Sequence, residues 1–139
     1  MPGTKVGFPE VTLGVIPGAG GTQRLPRIVA LDDALKMMLD GVPVDVATAR
    51  EKGFVDGIVE GDLVSAGVAH AKAMVGAPPT PTRNRRDRFT SALAFQNAID
   101  TARAALGEAP TRAPAAILEC VEAAPLLPFD QGLALERDL

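Results

Sequence analysis

Residues 7–27, GFPEVTLGVIPGAGGTQRLPR, constrain this chain more than any other stretch, because one acid is followed by a turn nearly free of side chains and then by a helix start. Pro9 holds the residue before it away from helical geometry, so Lys5 to Glu10 reads as a short extended segment with Glu10 at a strand end. Val11, Leu13, Val15 and Ile16 put apolar bulk around that carboxyl, the setting in which an acid exchanges protons near neutral pH. The turn Pro17-Gly18-Ala19-Gly20-Gly21-Thr22 lets backbone N–H groups approach a ligand closely. Thr22-Gln23-Arg24 then begins a helix whose free N–H groups attract an anion or hold a polarised water. A tight strand-to-helix turn with a capping acid would use the same residues. Nucleotide loops fit less well: Gly21 is followed directly by Thr22 with no lysine, and Gly18-Ala19-Gly20 lacks the third glycine of the dinucleotide fingerprint.

Downstream, Leu31, Ala34, Leu35 and Met38 recur at helical spacing, with Asp32 and Asp33 in the first turn and Gly41 just past the end. Met37 and Met38 can line an acyl pocket, since methionine fills irregular apolar space; core packing uses the same side chains. Asp45 caps a short helix that stops at Gly53, and Phe54 to Val59 reads as a short strand interrupted at Asp56-Gly57. From about Leu63 to Val75 a further helix sets Val64, Val68, Ala71 and Val75 on one stripe with His70 at its flank. No Ser, Cys or second His pairs with His70, so a surface histidine is expected there rather than a catalytic base.

The Pro-rich segment 76–82 is a stiff spacer, and it divides residues 1–77 from a helical extension, residues 78–139. Arg83, Arg85, Arg86 and Arg88 follow, expected as a solvated, poorly ordered turn or as a contact for the phosphates of a nucleotide-bearing thioester. A stripe of Ala92, Phe95, Ile99, Ala102 and Leu106 predicts a helix over about 89–106, ended by Gly107 and Pro110. Pro114 opens another helix, with Ile117, Leu118, Val121 and Ala124 on one face and Cys120 beside it as a small buried thiol; Phe129 to Leu139 forms a last one.

Composition limits the remaining classes. The 139 residues make one domain's worth of polymer, and 47% hydrophobic with 22% charged residues is globular rather than disordered. No apolar run approaches the roughly 20 residues of a membrane span. A net charge of −3, with no Trp or Tyr, gives nucleic acid no electrostatic or stacking purchase. One cysteine and one histidine make a protein-ligated metal site and a disulfide framework improbable, so no metal ligands are assigned. No charged-then-apolar segment follows Met1, and the cytoplasm or an organelle matrix is the expected compartment.

The run FPEVTLGVIPGAGGTQRLPR resembles the signature of the enoyl-CoA hydratase/isomerase, or crotonase, family. The similarity continues through residues 34–41 and 47–56, and residues 117–136 are similar to the linker of multifunctional fatty-acid oxidation enzymes that carry a hydroxyacyl-CoA dehydrogenase next. The resemblance implies an α/β, mainly helical chain: the C-terminal half of a ClpP/crotonase-like spiral fold with a helical extension. It implies that Glu10 matches the second of two catalytic glutamates, the one that exchanges a proton with the substrate α-carbon, and that the Gly18 N–H holds the reacting water. Pro17, Gly18, Met37 and Met38 would then contact an acyl-CoA thioester, with no cofactor beyond the coenzyme A of the substrate. The family's first glutamate and its oxyanion-hole N–H groups have no match here. The implied activity is hydration of trans-2-enoyl-CoA, with Δ3,Δ2-enoyl-CoA isomerisation or a catalytically silent oligomerisation module as the other readings. Family members form trimers or hexamers, and a half-module is expected to expose a large apolar patch and to self-associate or bind a complementary segment.

Overall fold

The computed structural model describes residues 3–108 and 110–139. The segment at Met1 and Pro2 that was read for a leader lies outside the described residues. The chain is mainly helical, with one small sheet. Strand β1 (Lys5–Val6) pairs antiparallel with β2 (Val44–Asp45), Lys5 opposite Asp45 and Val6 opposite Val44. Between them lie a 3-10 turn (Pro9–Leu13), α1 (Gly21–Ile28) and α2 (Leu31–Asp40). Helices α3 (Val46–Glu51), α4 (Leu63–Ala73), α5 (Ala92–Leu106), α6 (Arg112–Ala123) and α7 (Phe129–Asp138) follow.

Three of these helices start on a local cap. Asp45 accepts from the Thr48 N–H at 2.9 Å, Asp62 from the Ser65 N–H at 3.0 Å, and Ser91 from the Ala94 N–H at 3.2 Å. Each side-chain oxygen satisfies an N–H that the first helical turn leaves without a partner. Ser91 also explains why α5 begins at Ala92 rather than near Phe89. Phe89 stays outside the helix, with its ring edge-on to Phe95 at 5.7 Å.

The core is built by Leu25 of α1 and Val29 just after it, Ala34, Leu35, Met37 and Met38 of α2, Phe95 and Ile99 of α5, and Ile117, Leu118 and Val121 of α6. It therefore draws residues from both sides of the Pro-rich spacer. α7 packs against α1 and α6 at the edge of this core. Helix α4 contributes nothing to it: none of its residues is buried, and Val64 and Val68 are 74% and 49% exposed, as is Val75 beyond it at 83%. The expected stripe exists, but it faces away from the core.

Two expected strand features are corrected. Phe54 to Val59 forms no strand, because the Phe54 and Val55 N–H groups both bond back to the Ala49 carbonyl (2.8 and 3.4 Å) and close the end of α3. Glu10 sits not at a strand end but in the first turn of the 3-10 segment. Pro9 keeps Phe8 out of helical geometry (φ −124°, ψ 81°) as expected, yet a proline also suits the first position of a helical turn, and that preference decides the geometry here.

The arginine run is solvated as expected, with Arg83, Arg86 and Arg88 exposed, but it is tied down by specific contacts. Arg83 pairs with Asp130, Arg85 makes two bonds to Asp87 (3.2 and 3.0 Å), and Arg86 donates to the Pro125 carbonyl at 2.9 Å. Their guanidinium groups share two aromatic faces with α1. Arg24, Arg27 and Arg83 lie 5.5, 5.1 and 5.1 Å from the centre of the Phe129 ring, and Arg27 and Arg86 lie 5.3 and 5.6 Å from that of Phe89. Stacking on rings lets several like charges gather without direct contact. Arg27 is fully buried among them, donating to the Gln23 and Ala124 carbonyls; burial and the nearby Arg86 charge lower its pKa.

Candidate active site

Glu10 enters the site through the 3-10 turn, which is closed by bonds from the Gly14 N–H to the Val11 carbonyl (3.0 Å) and from the Val15 N–H to the Glu10 carbonyl (3.3 Å). Its side chain borders a cavity of about 250 Å³ walled by Phe8, Pro17, Ala19, Gly21, Arg24, Leu25, Ile28 and Phe54. The Phe8 and Phe54 rings meet edge to face at 6.0 Å. One carboxyl oxygen of Glu10, Oε2, is buried with no hydrogen-bond partner among the described residues. A buried polar oxygen left without a partner costs on the order of 1–3 kcal/mol, and sites that keep one generally use it. No ion pair joins Arg24 to Glu10 among the described residues; Arg24 instead donates to the Ala19 carbonyl at 2.5 Å.

Residues 16 to 19 alternate sides. Pro17 and Ala19 face the Glu10 cavity, whereas Ile16 and Gly18 line a neighbouring cavity of about 440 Å³ that Arg112, Ala116, Glu136 and Leu139 also border. The turn is thus the partition between two spaces, and Gly18 does not line the one that holds Glu10. Gly18 is exposed, and its N–H has no partner among the described residues. A Cβ on it would meet only the Ile16 carbonyl oxygen, at 3.9 Å, so nothing in this chain requires glycine there. Gly20 is the opposite case: its φ of 81° lies in the left-handed region, and the Arg24 guanidinium already fills the space of a Cβ.

Met37 and Met38 lie elsewhere. Met38 is fully buried in the core, and Met37, almost as buried, borders a third cavity with Asp33, Lys36, Val42 and Thr48. Neither lines the Glu10 cavity. Phe54 and Arg24 do line it, and sequence reasoning missed both: Phe54 was hidden inside an expected strand, and Arg24 looked like an ordinary helix residue.

The expected anion at the start of α1 is present, and the chain itself supplies it. The Glu136 carboxylate, brought by α7, accepts from the Gly20 N–H (2.5 Å), the Thr22 N–H (3.0 Å) and the Thr22 hydroxyl (2.5 Å). Glu136 is only 4% exposed. Beside it, Gln23 Nε2 donates to the Cys120 carbonyl at 2.8 Å. Burial pushes the Cys120 thiol up to about 11, so it stays protonated at neutral pH and carries no nucleophilic chemistry. His70 is exposed on α4. Among the described residues no group of three or more His, Cys, Asp or Glu could hold a metal, and no helix is long and apolar enough to cross a membrane.

The family model described as enoyl-CoA hydratase/isomerase matches residues 3–108. The chain is 32% identical to the peroxisomal bifunctional enzyme of Cavia porcellus over 97% of its own length and 19% of that protein's. It is 36% identical to the fatty acid oxidation complex subunit alpha of Shewanella frigidimarina, over 96% of this chain and 20% of the relative. Over a 58-residue stretch, 42% of this chain and 8% of the relative, it is 53% identical to a glyoxysomal fatty acid beta-oxidation multifunctional protein of Cucumis sativus. The chain spans about a fifth of the length of the first two relatives.

Proposed function

We propose, for a chain that belongs to the enoyl-CoA hydratase/isomerase family, that Glu10 is the proton carrier in hydration of a trans-2-enoyl-CoA thioester. Water oxygen bonds to the β-carbon as the C=C π bond is consumed, the Glu10 carboxyl gives its proton to the α-carbon, and the proton that the attacking water loses returns to the Glu10 carboxylate, so H and OH are both accounted for. The family resemblance gives the attacking water to the N–H of Gly18, a residue that here lines the cavity on the other side of the turn from Glu10. The negative charge that develops on the thioester oxygen needs backbone donors, which in this family come from segments that have no match in this chain. The observation that supports the reading most directly is the buried, unpartnered Oε2 of Glu10, a residue that borders a largely apolar cavity. At the level of fold, the same family membership supports the C-terminal half of a ClpP/crotonase-like spiral.

A second reading draws on the same cavity. Glu10 is the one carboxylate among its lining residues. A single acid suffices to move a proton within a substrate, as Δ3,Δ2-enoyl-CoA isomerisation requires. Product analysis separates the two, a hydroxyacyl thioester against a shifted enoyl thioester.

The test follows the loss of conjugated thioester absorbance on a short trans-2-enoyl-CoA, first with the 139-residue chain and then with the complete parent protein. Glu10→Gln, which keeps shape and removes the proton carrier, should lower turnover by roughly two to four orders of magnitude. Turnover close to that of the unsubstituted protein would refute the role of Glu10. Folded 139-residue protein without turnover would assign the reaction to the longer protein and leave this chain as a self-associating or partner-binding unit, for which the outward stripe of α4 is the natural surface. The names of the relatives point to β-oxidation of fatty acids as the setting and, in two cases, to peroxisomal or glyoxysomal proteins, so an organelle matrix stands beside the cytoplasm as a proposed compartment.

A further inference from the structure

We propose that Glu136 is a positioning residue for the Gly18 turn: its buried carboxylate grips the N–H groups of Gly20 and Thr22 and thereby fixes the free N–H of Gly18 at the partition between the two cavities. The proposal rests on the hydration reading above. Its starting point is an inequality among the helix starts. α3, α4 and α5 are capped by their own neighbours Asp45, Asp62 and Ser91, each within three residues of the N–H it satisfies. α1 has glycine at its cap position and takes its acceptor from a residue 114 to 116 positions away.

A local Asp or Ser cap would be the simpler device, but position 20 excludes it. The φ of 81° and the Arg24 guanidinium leave room for no side chain at Gly20. Arg24 is there because it holds the Ala19 carbonyl at 2.5 Å. The turn is therefore clamped at the Ala19 carbonyl by Arg24 and at the Gly20 and Thr22 N–H groups by Glu136, directly after Gly18, whose own N–H has no partner among the described residues. Glu136 supplies the second clamp at the helix end where the dipole favours negative charge.

Glu136 itself is not a catalytic residue. Both of its oxygens are taken, Oε1 by the Gly20 N–H and Oε2 by the Thr22 N–H and hydroxyl. The Thr22 hydroxyl is in turn fixed by Gln23 Nε2 at 3.3 Å, so its proton points at the carboxylate. Among the described residues no cation pairs with Glu136; two backbone N–H groups and the Thr22 hydroxyl offset its charge. That arrangement ties the geometry of the turn to the seat of α7.

The test combines amide spectroscopy of the 139-residue chain with kinetics of the complete parent. Glu136→Gln leaves one oxygen to accept where two did. Glu136→Asp keeps the charge but is too short to reach both N–H groups, and it serves where the glutamine variant does not fold. The expected result is faster hydrogen exchange at Gly20, with a shifted Gly18 amide resonance although no hydrogen bond joins Gly18 to Glu136. In turnover, kcat should fall roughly tenfold to a hundredfold with KM within about twofold, as misplaced rather than lost binding groups produce. An unmoved Gly18 amide, or an unchanged kcat in a protein whose turnover Glu10→Gln abolishes, would overturn the proposal. If Glu10→Gln leaves turnover intact, it is the hydration reading that fails, and the amide measurement alone then decides whether Glu136 holds the turn.

Discussion

Gly132→Ala is a sharp test of how α7 meets α1. In an exposed helix the exchange would stabilise the chain by about 0.5–1 kcal/mol, because alanine restricts the unfolded backbone more. Here the added Cβ would lie 2.2 Å from Gln23 Oε1, 2.7 Å from Cδ and 3.3 Å from Cγ. Gln23 has no free space to enter: it is fully buried, and its Nε2 is held by the Cys120 carbonyl at 2.8 Å. Overpacking of this kind costs about 1–3 kcal/mol, and loss of the Cys120 bond adds about 1 kcal/mol. After the gain in helix propensity, a net loss of about 2 kcal/mol remains, a fall in melting temperature of roughly 6–10 °C for a chain of this size. Urea midpoints and thermal melts by circular dichroism would measure it. In a Gln23→Ala background the clash is gone, and the same substitution should become stabilising by about 0.5–1 kcal/mol. A Gly132→Ala protein as stable as the parent, with Gln23 in place, would refute the packing argument. Since Glu136 follows Gly132 by one helical turn on the same face, it would also weaken the case that α7 seats the carboxylate.

Two other outcomes follow from the same region. The Cys120 thiol titrates at about 11 against an ordinary 9.0, so between these values the unfolded chain gives up its proton first and stability falls as pH rises. Its contribution is complete below about pH 9, and urea midpoints at about pH 8 and 10.5 should diverge less in Cys120→Ala than in the parent. Gly18→Ala and Gly20→Ala should separate cleanly. The first should stay within about 0.5 kcal/mol of the parent by urea unfolding, because its Cβ meets open space. The second should lose about 1–3 kcal/mol to the left-handed backbone and to Arg24. A destabilised Gly18→Ala protein would contradict the idea that only a ligand needs this glycine.

The helices were legible because their signals are local. Asp45, Asp62 and Gly41 stand where a cap or stop needs them, and the Leu31, Ala34, Leu35, Met38 spacing names a buried face that α2 does bury. The same logic failed where one residue serves two local rules. Pro9 marks both the end of an extended run and the first position of a helical turn; the second decides where Glu10 sits. Asp56-Gly57 and the apolar residues around it look like an interrupted strand, but among the described residues no strand pairs with them and their first N–H groups are already committed to Ala49. For α4, periodicity gave the stripe and nothing about its partner, since what covers a helix face is decided by the rest of the molecule and not by the spacing on it.

The site divides along the same line. Glu10 and the glycine-rich turn are neighbours in sequence, so the acid, the turn and the helix start could be read together before any fold was known. Glu136 could not, because more than a hundred residues separate it from Gly20 and its own surroundings, an unremarkable helix with acids and a leucine face, carry no sign of burial. From the sequence, the N–H groups at the start of α1 could attract an anion, hold a polarised water or simply close a tight turn; the structure puts a carboxylate of the same chain there. The N–H groups there do not distinguish a phosphate from a carboxylate of the same chain; what distinguishes them is which anion the fold can deliver without leaving it exposed. α7 delivers one that is almost wholly buried. With that carboxylate in place, the Gly20 and Thr22 N–H groups at the start of α1 are taken and are not open to a second anion.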